Sequence, residues 1–279
     1  MHWPDYSLID CGGKEKLERF GKFILRRPEP QAIWSKQSSE KIWNGWDALY
    51  TRSSGDNKGG WEFKSKPLEP WWINIGDLRV KLQLTSFGHI GIFPEQLTNW
   101  MEIKNQLEEL SNPRVLNLFA YTGVASLVAN QTKSEVYHVD AVSPIIKWAK
   151  ENMEASKLKD IRWVEEDAFK FVSREVNRNK DYDAILLDPP AYGRGPKGEK
   201  WMLEDQIDDL LSKCAILLNS RGKFLLLNMY SMGLSLTIAE QLLKLHFKTW
   251  NIQARELIIP AASGIILPLG ISAFAVRKL

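Results

Sequence analysis

The feature that most constrains the fold of this chain is a regular alternation of short apolar segments with longer amphipathic ones, beginning near residue 94. The short segments are typical of buried β-strands and the longer ones of surface helices. The predicted strands are RVLNLFA, VYHVDA, IRWVEED, YDAILLD and GKFLLLNMY. The predicted helices are residues 94 to about 110, GVASLVANQ, PIIKWAKENMEAS, AFKFVSREVNR, MLEDQIDDLLSKCAILL and LSLTIAEQLLKLHF. Such alternation predicts an α/β fold in which a parallel sheet carries helices on both faces.

Both ends of the chain depart from this pattern. Segments around residues 252–259 and 272–277 follow each other without a convincing helix between them, which predicts a terminal antiparallel hairpin. The residues before the alternation form short segments rich in β-formers and broken by turn residues, such as KIWNGWDALYTR and WWINIGDLRVKLQL. We therefore predict a small β-rich N-terminal domain over residues 1–84 and the α/β domain over residues 85–279.

Tryptophan is concentrated in the N-terminal part, where 8 of the 12 tryptophans fall in the first hundred residues. Such rings could form a surface on which nucleic-acid bases stack. We expect most of them in the core instead, because each ring buries a large apolar area.

Composition narrows the functional classes. The chain has 279 residues, of which 44% are hydrophobic and 25% charged, as in ordinary soluble proteins. No apolar run approaches the roughly 20 residues that span a bilayer, and the N-terminus lacks the apolar core of a signal peptide, so we expect a cytoplasmic protein with no membrane partner. Cys11 and Cys214 lie far apart and match no metal-ligand spacing, so neither a disulfide framework nor a metal site is predicted.

The net charge of the chain is compatible with nucleic-acid binding but does not predict it. The formal net charge is +3, which is mild. Lys and Arg exceed Asp and Glu by 14 to 11 in residues 1–84, whereas the two classes balance at 23 each in residues 85–279. Any basic surface is therefore expected in the N-terminal domain.

The carboxyl ends of the predicted strands are the expected ligand site, because open α/β sheets bind ligands there. The first strand ends in NLFAYTGVAS, where Gly123 lets the chain turn into a helix and lets the backbone approach a ligand. The three-glycine dinucleotide fingerprint is absent, which argues against a nicotinamide or flavin cofactor.

The next two strands end in acids. Asp140, in VDAVSP, could accept hydrogen bonds from both hydroxyls of a ribose, with Ser143 and Pro144 as the cap and first residue of the following helix. Asp167, in EEDAFKF, could accept a hydrogen bond from an adenine amino group. Either acid alone could be a helix cap or a solvated turn residue. Together with Asp188, at the end of the fourth strand, they predict a pocket for a nucleoside without a pyrophosphate, which suits S-adenosylmethionine.

The fourth strand runs into the stretch ILLDPPAYGRGPKGEKW. Prolines lack a backbone donor, so an amino group on a planar ring could donate to Asp188 and to the Pro189 carbonyl while the ring stacks on Tyr192. Such contacts would orient the amine for in-line attack on a methyl group. The alternative is a strand-to-loop turn that simply requires prolines.

A glycine-rich basic loop follows this turn. It carries Arg194, Lys197 and Lys200, which could close over a phosphate backbone. The alternative, which is equally open, is a solvated surface loop.

These residues resemble the class I S-adenosylmethionine-dependent methyltransferases, and within them the group related to the two-domain 23S ribosomal RNA base methyltransferases. LNLFAYTGVASL resembles the first motif of the family, VDAVSP its ribose-binding acid, EEDAFKF its adenine-side acid and LLDPPAYGRGPKGE its catalytic motif. Upstream, GHIGIFPEQ resembles the segment that this group places against the cofactor. The resemblance implies a Rossmann-like fold with a mostly parallel seven-stranded sheet.

The resemblance also implies a set of site residues. The implied catalytic residues are Asp188, Pro189, Pro190 and Tyr192. The implied contacts to S-adenosylmethionine are Phe93, Glu95, Gln96, Asn117, Phe119, Ala120, Tyr121, Thr122, Gly123, Asp140, Ala141, Asp167, Ala168 and Asp188. The expected RNA contacts are Arg194, Lys197 and Lys200.

One departure from the family indicates the acceptor atom. Members that methylate C5 of cytosine need a cysteine after the fifth strand, because a ring carbon is not nucleophilic enough by itself. This chain has LLLNMYSMGLS there, and Cys214 falls on the apolar face of a predicted helix. We therefore expect methylation of a nitrogen, most simply in a base of ribosomal RNA. A small-molecule or protein nitrogen, and a cofactor-binding RNA or assembly factor without turnover, are the alternatives; the oligomeric state is left open.

Overall fold

The computed structural model describes residues 3–52, 59–195, 198–230 and 233–278. These residues form two compact units. Unit 1 comprises Met1–Gln96 and Ile258–Leu269, and unit 2 comprises Leu97–Leu257 and Gly270–Leu279. The chain thus leaves unit 1 after Gln96, whereas the domain boundary predicted from the sequence falls after residue 84. We predict that residues 1–84 recognise RNA or another substrate and that residues 85–279 bind S-adenosylmethionine and carry out catalysis.

Unit 1 is rich in β-structure. In the segment that ends at Gln96, its strands are β1 (Tyr6–Gly12), β2 (Glu15–Phe20), β3 (Phe23–Pro28), β4 (Ala48–Arg52), β5 (Gly59–Phe63), β6 (Trp71–Ile75) and β7 (Leu78–Leu82). The same segment has one short α-helix, α1 (Glu40–Trp43). The first five strands form a sheet in chain order, and β6 pairs with β7. The β3–β4 pair is parallel, and the other pairs are antiparallel.

Most of the N-terminal tryptophans are at least partly buried, in agreement with the expectation that they belong to the core. Trp3, Trp43, Trp71 and Trp100 are buried, whereas Trp72 is exposed. The indole nitrogen of Trp43 donates to Asp10 Oδ2 at 2.7 Å. A buried tryptophan thus has a partner for its polar atom, as a stable core requires.

Unit 2 contains the strand–helix alternation. Its helices are α2 (Leu97–Glu108), α3 (Val124–Gln131), α4 (Ser143–Ala155), α5 (Ala168–Asn177), α6 (Leu203–Leu217) and α7 (Leu236–His246). The remaining strands are β8 (Arg114–Leu118), β9 (Glu135–Asp140), β10 (Ile161–Glu165), β11 (Ala184–Leu187), β12 (Tyr192–Arg194), β13 (Lys200–Met202), β14 (Phe224–Met229), β15 (Trp250–Pro260) and β16 (Ile266–Arg277). None of the described helices is long and apolar enough to cross a membrane.

The seven-stranded sheet confirms the predicted fold class. Its strand order is β10-β9-β8-β11-β14-β16-β15. The pairs from β10 to β14 are parallel, and β16 runs antiparallel to β14. The order reverses between β8 and β11, so the carboxyl ends of those two strands form the crevice where such sheets bind ligands.

Burial explains why these segments become central strands. Every residue of β11 and β14 is buried, as expected where helices cover both faces. Helix α6 covers one face with Ile207, Leu210 and Leu211, and Cys214 lies among them in the core, as predicted. Burial raises the pKa of the Cys214 thiol to about 12, so this sulfur stays protonated.

Local details differ from the predictions at three places. The segment predicted as helix from residue 94 begins with a 3-10 turn, Pro94–Gln96, before α2. The basic segment predicted as a loop includes the antiparallel pair of β12 and β13, in which Tyr192 faces Met202. The predicted cap Ser143 is instead the first residue of α4, and the Val142 N–H donates to Asp140 Oδ1 at 2.9 Å.

Candidate active site

The turn after β8, at the carboxyl edge of the sheet, has a strained backbone. Phe119 and Tyr121 have φ of 55° and 51°, and Gly123 has φ of 89°. Left-handed backbone is costly for residues with a Cβ, and such strain collects at functional sites. We call residues 119–123 the motif loop.

Gly123 lies where the chain turns into α3, as predicted, and the packing around it supplies a second reason for a glycine. A Cβ at this position would lie 3.1 Å from Ala149 Cβ and 3.4 Å from His138 Cε1. Protein atoms therefore crowd the position, and the positive φ adds strain to any side chain. The glycine serves the internal packing of the loop, whether or not a ligand approaches its backbone.

The other predicted residues of the motif loop are tied to neighbouring elements. Ala120 N–H donates to the Val139 carbonyl at 3.1 Å, and Asn152 Nδ2 donates to the Thr122 carbonyl at 2.9 Å. Asn117, at the end of β8, is buried and donates from Nδ2 to Ser126 Oγ at 2.8 Å. Its amide thus faces the interior and is used in packing the loop.

Asp140 ends β9 and holds the motif loop. Its Oδ2 accepts from the Tyr121 N–H at 2.9 Å, while Oδ1 accepts from Val142. Burial raises the pKa of this carboxyl. The Ala141 N–H is a third backbone donor to this carboxyl. A carboxylate has about four lone-pair sites, so capacity for a further hydroxyl donor is left. Ala141, beside it, is partly buried.

Asp167 caps α5. Its Oδ1 accepts from the Lys170 N–H at 2.9 Å, so the helix-cap alternative considered for this acid is realised. Asp167 and the following Ala168 are both buried. Strand pairing places Glu165 opposite Asp140, which brings the two acidic strand ends to adjacent positions.

Asp188 follows β11 at the point where the strand order reverses. Its N–H donates to the Leu118 carbonyl at 3.5 Å, and its Oδ1 accepts from Asn228 Nδ2 at 2.5 Å. Asn228 lies in β14 and is buried. Sequence reasoning missed this residue; the signal was an amide in an otherwise apolar strand, FLLLNM.

The Pro189–Pro190 turn is connected to the motif loop through Trp201. The Trp201 indole nitrogen donates to the Pro190 carbonyl at 2.7 Å, and its ring lies 4.9 Å from that of Phe119. The Pro190 carbonyl is therefore engaged by the protein. The sequence analysis predicts that a substrate amino group donates to a different carbonyl, that of Pro189. Trp201 is a second residue that sequence reasoning missed.

The predicted substrate residues of the β12–β13 hairpin are exposed. Tyr192 is 52% exposed, and Arg194 Nε donates to its hydroxyl at 3.0 Å. Lys200 is also exposed, whereas Lys197 lies outside the described residues. On the same hairpin Glu199 pairs with Lys170 of α5.

The upstream predicted residues belong to unit 1. Glu95 and Gln96 are buried within the 3-10 turn, and Phe93 is partly buried beside His89 with ring centroids 5.3 Å apart. Burial, with neighbouring Arg27 and Lys16, lowers the pKa of His89 to about 4. Among the described residues no cluster of His, Cys, Asp or Glu could hold a metal ion.

The strained motif loop, the acid at the end of β9 and the acid–proline–proline turn lie where the strand order of the seven-stranded sheet reverses, which is the place where such sheets bind nucleoside-type ligands. The model of the S-adenosylmethionine-dependent methyltransferase family matches residues 43–246. The chain belongs to this family, as the sequence motifs predicted.

Solved structures agree with the assignment. The crystal structure of a SAM-dependent methyltransferase from Agrobacterium tumefaciens is 38% identical with a TM-score of 0.94, covering 98% of this chain and 91% of that one. The structure of SMU.776 complexed with SAH is 15% identical with a TM-score of 0.73, covering 98% of this chain and 75% of that one. At this low identity, the similarity to SMU.776 shows a shared fold alone.

Among curated proteins, the ribosomal RNA large subunit methyltransferase K/L of Pseudoalteromonas atlantica is 29% identical over 151 residues. The match covers 53% of this chain and 21% of that protein. This chain spans less than half the length of the curated relatives it matches.

Proposed function

We propose that this protein transfers a methyl group from S-adenosylmethionine to a nitrogen atom of a base in ribosomal RNA. The observation that carries the proposal is the Asp188 carboxylate, which Asn228 holds at the strand-order switch beside the motif loop. A fixed acceptor at this place can orient an amino group, and positioning supplies most of the rate in such a displacement.

The chain's own residues divide the remaining work. Asp188 and the Pro189 carbonyl accept hydrogen bonds from the amino group, so its lone pair is directed away from them. The exposed ring of Tyr192 offers a stacking surface for the base. As the nitrogen gains positive charge, the carboxylate stabilises that charge and can take up the proton that is released. Bound S-adenosylmethionine supplies an electrophilic methyl group on a sulfonium sulfur.

The residues around the motif loop fit this cofactor. Asp140 accepts from the backbone N–H groups of Tyr121, Val142 and Ala141, which leaves acceptor capacity on the carboxylate for the ribose. Asp167 accepts from one backbone N–H through Oδ1, which leaves acceptor capacity for an adenine amino group. The roles of Phe93, Glu95 and Gln96 stay predictions.

We expect Asp140→Ala to weaken S-adenosylmethionine binding by roughly ten- to a hundredfold. A hydrogen bond to a charged group contributes about 1.5 to 3 kcal/mol, and each 1.4 kcal/mol changes Kd about tenfold. Isothermal titration calorimetry of the parent protein and the variant measures this. Unchanged affinity in a folded variant would remove Asp140 from the ribose site.

Ribosomal RNA is proposed as the acceptor because the curated relatives carry that substrate in their names, and because Arg194 and Lys200 lie exposed on the same hairpin as Tyr192. Basic side chains at such a position can bind phosphates while a base enters the site. The chain lacks an exposed thiol for carbon methylation, since Cys11 and Cys214 are both buried. The cytoplasmic location expected from the sequence stays a prediction.

The decisive experiment supplies radioactive S-adenosylmethionine and the purified protein to RNA, ribosomal particles, protein and small-molecule fractions from a strain that lacks the gene. We expect label in ribosomal RNA or its particles, absent with RNA from the parent strain, and released as an N-methylated base after digestion. Label in the protein or small-molecule fraction would instead identify one of the alternative acceptors. Cofactor binding without transfer to any fraction would favour a binding factor.

A further inference from the structure

The β12–β13 hairpin has an inner face that is fixed to the core. Gly193 lies opposite Trp201 in the strand register, and Trp201 is buried. The Trp201 indole nitrogen donates to the Pro190 carbonyl at 2.7 Å, and the Leu203 N–H donates to the Ala191 carbonyl at 3.0 Å. The hairpin is therefore held against the acid–proline–proline turn by contacts at its base.

The outer side of the same hairpin carries two pairs of exposed residues. Successive residues of a strand alternate between faces, so the residues next to the inward-facing pair all lie on the outer side. Tyr192 lies opposite Met202, and Arg194 lies opposite Lys200. Tyr192 is 52% exposed and Met202 is 46% exposed, and both basic residues are exposed as well. We call these four residues the hairpin face.

The first pair of the hairpin face is apolar and suits a flat aromatic ligand. Directly opposed residues of an antiparallel pair have Cβ atoms about 4.5–5.5 Å apart, so Tyr192 and Met202 are neighbours on one surface. The Met202 N–H donates to Gln206 Oε1 at 3.0 Å, which fixes the backbone that carries the thioether. An aromatic ring and a polarizable thioether both gain from contact with a nucleobase.

The second pair is cationic and is not neutralised by the protein. Arg194 Nε donates to the Tyr192 hydroxyl at 3.0 Å. In the part of the chain that the structure describes, neither Arg194 nor Lys200 forms an ion pair. Glu199 is the one acidic residue in the sequence of the hairpin, and it pairs instead with Lys170 of α5. The two cations are therefore available to phosphate oxygens.

The order of the two pairs matches the order of the parts of a nucleotide. The apolar pair lies next to the acid–proline–proline turn, and the basic pair lies two residues further along each strand, which is roughly 6.8 Å. That separation is comparable to the distance between a base and the phosphate of the same nucleotide. Glu204 and Asp205 follow the apolar pair in the first turn of α6, so a phosphate is disfavoured at that end.

We propose that Met202 is a substrate-binding residue that forms with Tyr192 the surface for the base of one unpaired nucleotide, while Arg194 and Lys200 bind its phosphate. This inference rests on the proposed function and names the class of substrate. In a continuous duplex the faces of each base are covered by its neighbours in the stack, so the apolar pair has no base face to contact. The hairpin face therefore favours an unpaired segment of RNA over a duplex.

The test is a binding titration without cofactor, followed by fluorescence anisotropy. The probes are a labelled single-stranded RNA of mixed sequence and the same RNA annealed to its complement. We expect the parent protein to bind the single strand several-fold more tightly than the duplex. Met202→Ala should weaken single-strand binding by roughly three- to tenfold, because the contact between the thioether and the base is lost.

Two further variants separate binding from a general effect on the hairpin. Met202→Leu keeps an apolar side chain and should restore most of the affinity for the single strand. Ile216→Ala is the matched control, because it also removes a large exposed side chain of unit 2, 55% exposed and carried by α6. This control should bind both RNA probes like the parent.

A cross-linking measurement on the parent protein locates the base without any substitution. Single-stranded RNA that carries a photoreactive iodouridine should cross-link to Tyr192 or Met202, as read by mass spectrometry of the peptides. Cross-links confined to other peptides would overturn the proposed position of the base.

The outcomes separate this inference from the proposed function. Equal affinity of the parent for single strand and duplex, parent-like single-strand binding in Met202→Ala, an equal loss in Ile216→Ala, or no RNA binding at all would overturn the role of Met202. Neither cofactor nor methyl transfer enters these measurements. Intact binding at the hairpin face without methyl transfer to any RNA fraction would instead overturn the proposed function alone.

Discussion

Asp188→Ala is expected to lower kcat for methyl transfer by two to three orders of magnitude while leaving the Kd of S-adenosylmethionine within a few-fold. The carboxylate stabilises charge that develops on the accepting nitrogen, and loss of one such preorganised group typically costs about 10²–10³ in rate. The cofactor keeps its proposed contacts to the motif loop and Asp140, so its affinity changes little. Single-turnover methylation of the identified acceptor, with calorimetry in parallel, separates the two effects.

Two variants sharpen this prediction. Asn228→Leu keeps the volume within the apolar strand but frees Asp188 Oδ1 from its partner, so kcat should fall by a smaller factor. Asp140→Ala is the contrasting control, because saturating cofactor should restore most of its turnover. Normal kcat in Asp188→Ala would show that the acid–proline–proline turn is structural and that the reaction takes place elsewhere.

Acid should destabilise the folded protein strongly through His138. Its folded-state pKa of about 3 lies below the unfolded value of about 6.5, so the unfolded chain binds the proton first as the pH falls. The free energy of unfolding therefore rises with pH between the two pKa values. It falls as the pH is lowered from the unfolded value towards the folded value. The full difference corresponds to about 5 kcal/mol, of which about 2 kcal/mol is lost between pH 7 and pH 5.

Urea unfolding at pH 7 and pH 5 measures this dependence. His138→Phe should be less stable at pH 7 but should lose about 2 kcal/mol less than the parent on acidification. The control variant Tyr182→Phe loses the buried hydrogen bond from the Tyr182 hydroxyl to Glu175 at 2.9 Å, so it should lose stability at pH 7 and keep the parent's pH dependence. The His138→Phe variant should keep some pH dependence of its stability from His89, whose pKa is about 4. An identical pH dependence in His138→Phe and the parent would contradict the neutral buried ring.

The sheet could be predicted from the sequence because its signal is local. Buried central strands such as AILL in β11 appear as short apolar runs, and the helices between them show their apolar faces at regular spacing. Helix ends were harder to predict, because the hydrogen-bond partners of the backbone groups at a helix end can come from neighbouring residues outside the helix. Asp140 accepts from Val142 ahead of α4, so Ser143 was not needed as a cap.

The residues that complete the site were harder to predict because their contacts are distant in sequence. Asn228 meets Asp188 only because β14 lies beside β11 in the sheet, and the two residues are 40 positions apart. His138 looks like one more residue of an apolar strand until α3 places Ser126 against it. Motif spacing identified the acids at the strand ends; which side chain orients each of them follows from the packing.

Because the chain passes between the two compact units after Gln96, Leu257 and Leu269, no single cut in the gene separates them. Exchange of residues 1–96 alone by recombination would leave Ile259, Leu267 and Leu269 without Leu8 and Cys11, the apolar partners that now cover them. Those side chains would then face water or a foreign surface, at the usual cost of exposed apolar area. Unit 1 can therefore be inherited or transplanted intact only as two segments that travel together, which ties its evolution to that of the catalytic fold.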